Sequence, residues 1–167
     1  MQDNVSSSLS ASNQTQKHPV SHARRSRWWQ TFWDKTGSYI SVALGSIVGA
    51  VARFLVSVLF VSQFGDRFPW GTLFVNVTGS FAIGFYAALT GPDGRLFATP
   101  RQRQFVMVGI CGGYTTFSAF SLETLRLAQS GNVRAAFLNL LISIIGWLLA
   151  VWMGHAIAMR LNRLTGT

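Results

Sequence analysis

The chain has 167 residues, of which 49% are apolar and only 11% charged, with a formal net charge of +9. A soluble globular domain carries roughly 25% charged residues, so the apolar surplus must lie in lipid or inside a helix bundle. The lone Cys111 excludes an intrachain disulfide, a thiolate zinc site and a CxxC redox pair, and His18, His22 and His155 are too scattered for a metal or triad site, so no enzyme chemistry is visible.

The basic excess alone is compatible with nucleic acid or with an anionic membrane surface. Its placement decides: Lys17, Arg24, Arg25, Arg27 and Lys35 lie in the N-terminal tail, and most of the others flank apolar runs. That is the distribution of membrane helix ends, and no nucleic-acid partner is expected.

Residues 1–36 are rich in Ser, Asn and Gln and are predicted to be a disordered basic tail, leaving 37–167 as the folded membrane domain. Arg24, Arg25 and Arg27 run into Trp28, Trp29, Phe32 and Trp33, a mixture that suits either the lipid headgroup layer or a solvated tail. A cleaved signal peptide is not expected, because the apolar stretch that follows is too long for an h-region.

Four apolar runs follow, at about 39–62, 70–90, 104–127 and 134–160, each long enough to cross a hydrocarbon layer of ~30 Å. Asp66, Arg67 and Pro69 mark the first turn, Gly91, Pro92, Asp93 and Gly94 the second, and Ser130, Gly131 and Asn132 the third. The fold class is therefore an all-α integral membrane protein of four transmembrane helices. Gly45 with Gly49, Ser80 with Gly84, and Gly146, Ala150 and Gly154 recur at four-residue spacing, which lets helix backbones approach closely. Basic residues on the side of the termini outnumber Arg67, Arg126 and Arg134 opposite, which places the termini in the cytoplasm. Without the tail the contrast is only five against three, a bias weak enough to permit both insertion orientations.

The third run contains Gly112-Gly113-Tyr114-Thr115-Thr116-Phe117-Ser118-Ala119-Phe120-Ser121-Leu122-Glu123. Two glycines at ~1 kcal/mol each, followed by two β-branched residues, make a poor continuous helix and predict a break. Irregular backbone at membrane depth is tolerated where it is buried in protein, lines an aqueous path or binds an ion; the alternative is a Gly-rich packing site in an intact helix. Phe117 and Phe120 share one helix face with Ser118 and Ser121 interleaved. Such rings are either core or, through their positive edges, the lining of a path for a small anion. Asn76 can donate to an anion or bond a neighbouring helix. Arg53 and Glu123 are ionisable groups within the spans and so candidates for a vestibule, Arg53 otherwise snorkelling and Glu123 otherwise pairing with Arg126.

Pro69-Trp70-Gly71-Thr72-Leu73-Phe74-Val75-Asn76, together with the segment from Gly112 to Glu123, resembles the Fluc (CrcB-type) fluoride channel family, and the resemblance extends over all four spans. It implies an antiparallel dual-topology homodimer in the cell membrane, surrounded by lipid, that passively exports fluoride through two pores. It also implies a structural Na+ at the dimer centre, held by the main-chain carbonyls of Gly112 and Thr115. By the same resemblance Phe117, Phe120 and Asn76 line the pore, a hydroxyl track begins at Ser118 and includes Ser121, and Asn139 and Ser143 contribute from span four. Where many members of the family continue that track with Thr, this chain has Ala119. A four-span proton-coupled exporter would need an embedded carboxylate early in the chain, and span one has none. A non-transporting scaffold would leave the irregular third span without a reason.

Overall fold

A computed structural model describes the backbone of residues 20–92 and 94–164, with side chains from residue 36 onward. The chain divides into two units, Met1–Lys35 and Thr36–Thr167. Every regular element among the described residues is helical: α1 (Val20–Phe64), α2 (Trp70–Leu89), α3 (Pro100–Arg103), a π-helical stretch (Gln104–Cys111), α4 (Gly112–Tyr114), α5 (Phe117–Gln129) and α6 (Val133–Arg163). Four stretches are long and apolar enough to cross a bilayer: Thr36–Phe64, Trp70–Leu89, Pro100–Gln129 and Val133–Arg163, the shortest of 20 residues. At 1.5 Å per residue even that one matches a ~30 Å hydrocarbon layer. The protein is a multi-pass membrane protein.

Two boundaries differ from the sequence reading. Helical backbone begins at Val20, inside the segment expected to be disordered, and no glycine or proline interrupts the sequence between Val20 and Thr36. The expectations for residues 1–19, and for the side chains of 20–35, lie outside the described residues. The third span starts at Pro100 rather than near Gln104, because Thr99 and Gln102 form a capping box and Pro100 occupies the first helical turn. The Thr99 N–H donates to Gln102 Oε1 at 2.9 Å, and the Gln102 N–H donates to Thr99 Oγ1 at 3.3 Å.

The turns close with similar economy. After α5, Gly131 takes φ +83°, its N–H donates to the Ala128 carbonyl and the Asn132 N–H to the Leu127 carbonyl. These two bonds form a Schellman motif, and Asn132 then caps α6 through its side chain. At the C-terminal end of α2, Arg103 donates to the Thr90 oxygen, Asn162 Nδ2 to the Ala88 oxygen at 3.0 Å, and the Leu96 N–H to the Leu89 oxygen at 2.9 Å.

The interior holds mostly small and polar residues, with Val75, Leu89 and Phe120 among its larger apolar ones, and most large apolar side chains lie outside. Buried positions include Thr72, Asn76, Ala88, Ala136, Asn139, Ser143, Ala150 and Ala158, whereas Phe54, Leu55, Leu148 and Trp152 are exposed. Lipid removes the usual reason to hide leucine, so close backbone approach and interhelical hydrogen bonds decide what packs inside. A Cβ built on Gly45 would lie 2.9 Å from Gly109 Cα, and one on Gly154 would lie 2.9 Å from the Phe85 nitrogen. The first contact seats α1 against the π-helical stretch, and the second seats α6 against α2.

Candidate functional site

The site is built around two residues of span three that leave the helical region. Thr115 has φ −84°, ψ 159° and Thr116 φ −153°, ψ 120°, both extended, between α4 and α5. The two glycines before them serve different neighbours. A Cβ on Gly113 would sit 2.9 Å from Ser46 Cα, so Gly113 lets α1 approach; a Cβ on Gly112 would meet nothing closer than the Met107 oxygen at 3.9 Å.

Side chains replace the helical bonds that the extended pair gives up. Asn76 Nδ2 donates to the Thr116 carbonyl at 2.9 Å, and the Thr116 N–H donates to Asn76 Oδ1 at 2.7 Å. The amide thus clamps the two peptide groups that flank Thr116 Cα. Thr116 Oγ1 in turn accepts the Ala119 N–H at 3.2 Å and caps α5. In an uninterrupted helix the Thr116 and Ala119 amides would donate to the carbonyls of Gly112 and Thr115. Both amides are instead held by side-chain oxygens, so those two carbonyls lose their helical donors. The Thr115 N–H and hydroxyl both donate to the Cys111 carbonyl at 3.0 Å.

Beside this pair lies a cavity of about 260 Å³ lined by Asn76, Ser80, Gly112, Thr115, Thr116, Phe117 and Trp147 among others, with no Asp, Glu, Lys or Arg in its wall. Phe117 is 73% exposed, whereas Phe120 is 4% exposed and packs edge-on to Trp147 at 4.8 Å and 74°. The two phenylalanines stand on one side of α5, with ring centroids 5.8 Å apart, but only Phe117 lines the cavity described. Ser118 and Ser121 are exposed: the Ser118 hydroxyl lies 3.2 Å from Thr116 Oγ1, and that of Ser121 donates to the Phe117 carbonyl at 2.9 Å.

Asn139 and Ser143 of α6 are each 1% exposed. They belong to one relay: Ser143 Oγ donates to Asn139 Oδ1 at 3.5 Å, Asn139 Nδ2 to Thr124 Oγ1 at 2.8 Å, and Thr124 Oγ1 to the Phe120 carbonyl at 2.7 Å. Glu123 lies apart from this group. Its Oε1 accepts from the Thr72 hydroxyl at 2.9 Å, its Oε2 is buried without a partner, and it borders a second cavity of about 440 Å³ with Asp66, Arg67 and Arg126. Arg53 is half-buried in α1 and lines neither cavity.

The structure therefore gathers Asn76, Phe117, Gly112 and Thr115 at one cavity, links Asn139 and Ser143 to α5, and leaves Arg53 separate. The sequence reading gave Thr116 only as part of the expected break and assigned no role to Thr72, Thr124 or Trp147. Four-residue spacing offered a signal for two of them: Thr72 precedes Asn76 by one turn, and Trp147 follows Ser143 by one.

Four apolar helices around polar interhelical contacts define a membrane protein of the small-bundle class. Residues 40–155 match the family described as CrcB-like protein, Camphor Resistance (CrcB). The chain is 63% identical over 134 residues to Fluoride-specific ion channel FluC 1 of Rhodopseudomonas palustris, covering 80% of this chain and 95% of that one. It is 53% identical to Fluoride-specific ion channel FluC 1 of Bradyrhizobium diazoefficiens (79% and 92% covered) and 50% identical to Fluoride-specific ion channel FluC of Rhodospirillum rubrum (75% and 97%). This chain belongs to the CrcB family, whose members named here are ion channels and not enzymes.

Proposed function

We propose that the chain is a fluoride-selective channel of the cell membrane that lets fluoride leave the cytoplasm passively. The observation that carries this reading is the uncharged, donor-bearing cavity at the extended pair, in a chain 63% identical to a protein named for fluoride conduction. Fluoride is small and strongly hydrated, so a selective path must replace its water with several hydrogen-bond donors. A fixed Lys or Arg in the wall would hold the ion too tightly for release. Asn76 keeps one amide hydrogen beyond the bond to Thr116, hydroxyls stand at Thr116 and Ser118, that of Ser121 is bonded to the Phe117 carbonyl, and Phe117 presents a ring with a positive edge.

The functional unit in this reading is an antiparallel homodimer, inserted in both orientations, with two pores. The weak charge asymmetry of the loops and the exposure of Phe117 support it. A structural Na+ at its centre would be held by the Gly112 and Thr115 carbonyls, and the donor set fits: carbonyl oxygens are hard ligands, and both have lost their helical donors. The ion would supply a fixed positive charge that ties two chains together; the extended backbone itself is held by Asn76 and Thr116.

The test is fluoride efflux from liposomes bearing the purified protein, followed with a fluoride electrode, with chloride recorded in parallel. Fast fluoride release, negligible chloride release, and loss of flux in folded Phe117→Ile are expected. No fluoride release from folded wild-type dimers would overturn the reading.

A further inference from the structure

Among the buried side-chain nitrogens and oxygens of the described residues, two lack a hydrogen-bond partner: Glu123 Oε2 and Trp147 Nε1. Glu123 is half-accounted for, since its other oxygen accepts from Thr72. The indole N–H is a single donor with no second atom to share the task, so in Trp147 the whole hydrogen-bonding capacity is unmet. Buried polar groups are ordinarily satisfied, and an exception calls for a ligand or a reason. Trp147 stands one helical turn beyond Ser143 and two beyond Asn139, which continues the polar stripe of α6. Its ring packs edge-on to Phe120 and borders the same uncharged cavity as Asn76, Thr116 and Phe117. Resting on the channel reading above, we infer that Trp147 is a fluoride-recognition residue, its indole N–H donating to the ion as the ion moves between the cavity and the Phe120 ring.

Phenylalanine would offer a ring to Phe120 but no N–H to an anion. An N–H on a rigid ring gives a donor that cannot rotate away, and a neutral one that does not trap the anion as an ammonium would. It also gives α6 a direct part in the path, since Asn139 and Ser143 are bonded to each other and to Thr124.

The experiment has two arms. The wild-type protein, labelled with ¹⁵N at its indoles and reconstituted in lipid nanodiscs, is titrated with sodium fluoride and separately with sodium chloride; the Trp147 resonance is assigned by its absence in Trp147→Phe. A downfield shift of that indole proton with fluoride and not with chloride is expected, together with fluoride efflux from Trp147→Phe liposomes lowered about tenfold, the scale of one hydrogen bond to an ion. An indole signal that ignores fluoride, while the wild type conducts it, would overturn the inference and leave the channel reading intact. Slow flux in Trp147→Phe with that unresponsive signal would assign Trp147 to the packing of Phe120 alone, which equally overturns it. A wild type that conducts no fluoride at all would remove the channel reading and this inference together.

Discussion

Asn76 and Thr116 lie 40 residues apart in the chain and exchange two hydrogen bonds, the side-chain amide of one closing on the peptide groups of the other at 2.9 and 2.7 Å. Span two thereby supplies to span three the pairing that its own helix does not. Substituting Asn76→Leu would leave the Thr116 N–H without a partner among apolar helices and its carbonyl with the first bond of α5 alone, at a cost of about 1–3 kcal/mol. Asn76→Asp keeps the acceptor for the Thr116 N–H but turns an oxygen on the Thr116 carbonyl. Both variants are expected to lose fluoride flux, and Asn76→Leu to melt at lower temperature in detergent; normal flux in either would contradict the clamp's role.

Thr116 has a second duty, accepting the Ala119 N–H. Thr116→Val removes this cap at a cost of about 1 kcal/mol and returns the Ala119 amide toward the Thr115 carbonyl, whereas Thr116→Ser keeps it. If that carbonyl serves Na+, sodium should raise the melting temperature of the wild type and of Thr116→Ser, relative to a large organic cation, and should raise that of Thr116→Val less. Equal sodium responses in all three would argue against the ion site.

Glycines in this bundle are not interchangeable. A methyl on Gly45 meets the backbone of Gly109 and Ile110 at 2.9–3.0 Å, and neither can step aside without moving its helix. Gly45→Ala is expected to destabilise by about 1–3 kcal/mol. A methyl on Gly146 meets the end of the Val77 side chain at 3.3 Å. That contact can relax, and the gain of about 1 kcal/mol in helix propensity makes Gly146→Ala neutral or stabilising. Thermal denaturation of the two variants side by side separates the cases.

The relay through Asn139 also permits a quantitative check. Thr124→Val strands the Asn139 amide in a buried site and should cost about 1–3 kcal/mol, while Thr124→Val combined with Asn139→Leu should cost less than the sum of the two single changes. Additive costs in a double-mutant cycle would mean that the 2.8 Å bond between them contributes nothing to stability.

Much of the architecture could be read from the chain because membrane helices are written in long apolar runs. The four spans, and the small residues Gly45, Gly49, Gly84 and Gly154 at their contacts, follow from composition and four-residue spacing. Hydropathy places the start of span three late because Thr99, Arg101, Gln102 and Arg103 are polar, and a capping box is a hydrogen-bonding signal that hydropathy does not register. Asn76 stood out as an amide inside a span, but its partner could not be named, since pairing across 40 residues depends on how α2 lies against α5. Helical spacing put Phe117 and Phe120 on one face, yet it could not reveal that one is exposed and the other sealed against Trp147. Burial within a face depends on the neighbouring helix, and periodicity describes only the helix itself.

The most direct test of selective, passive fluoride conduction is the zero-current potential of the reconstituted wild-type protein in a planar bilayer, with fluoride on one side and chloride on the other. Current that reverses only at a strongly displaced voltage, as required when fluoride alone permeates, is the expected result. Reversal near zero would mean that both halides pass, and the absence of current from folded protein would mean that the chain is no channel.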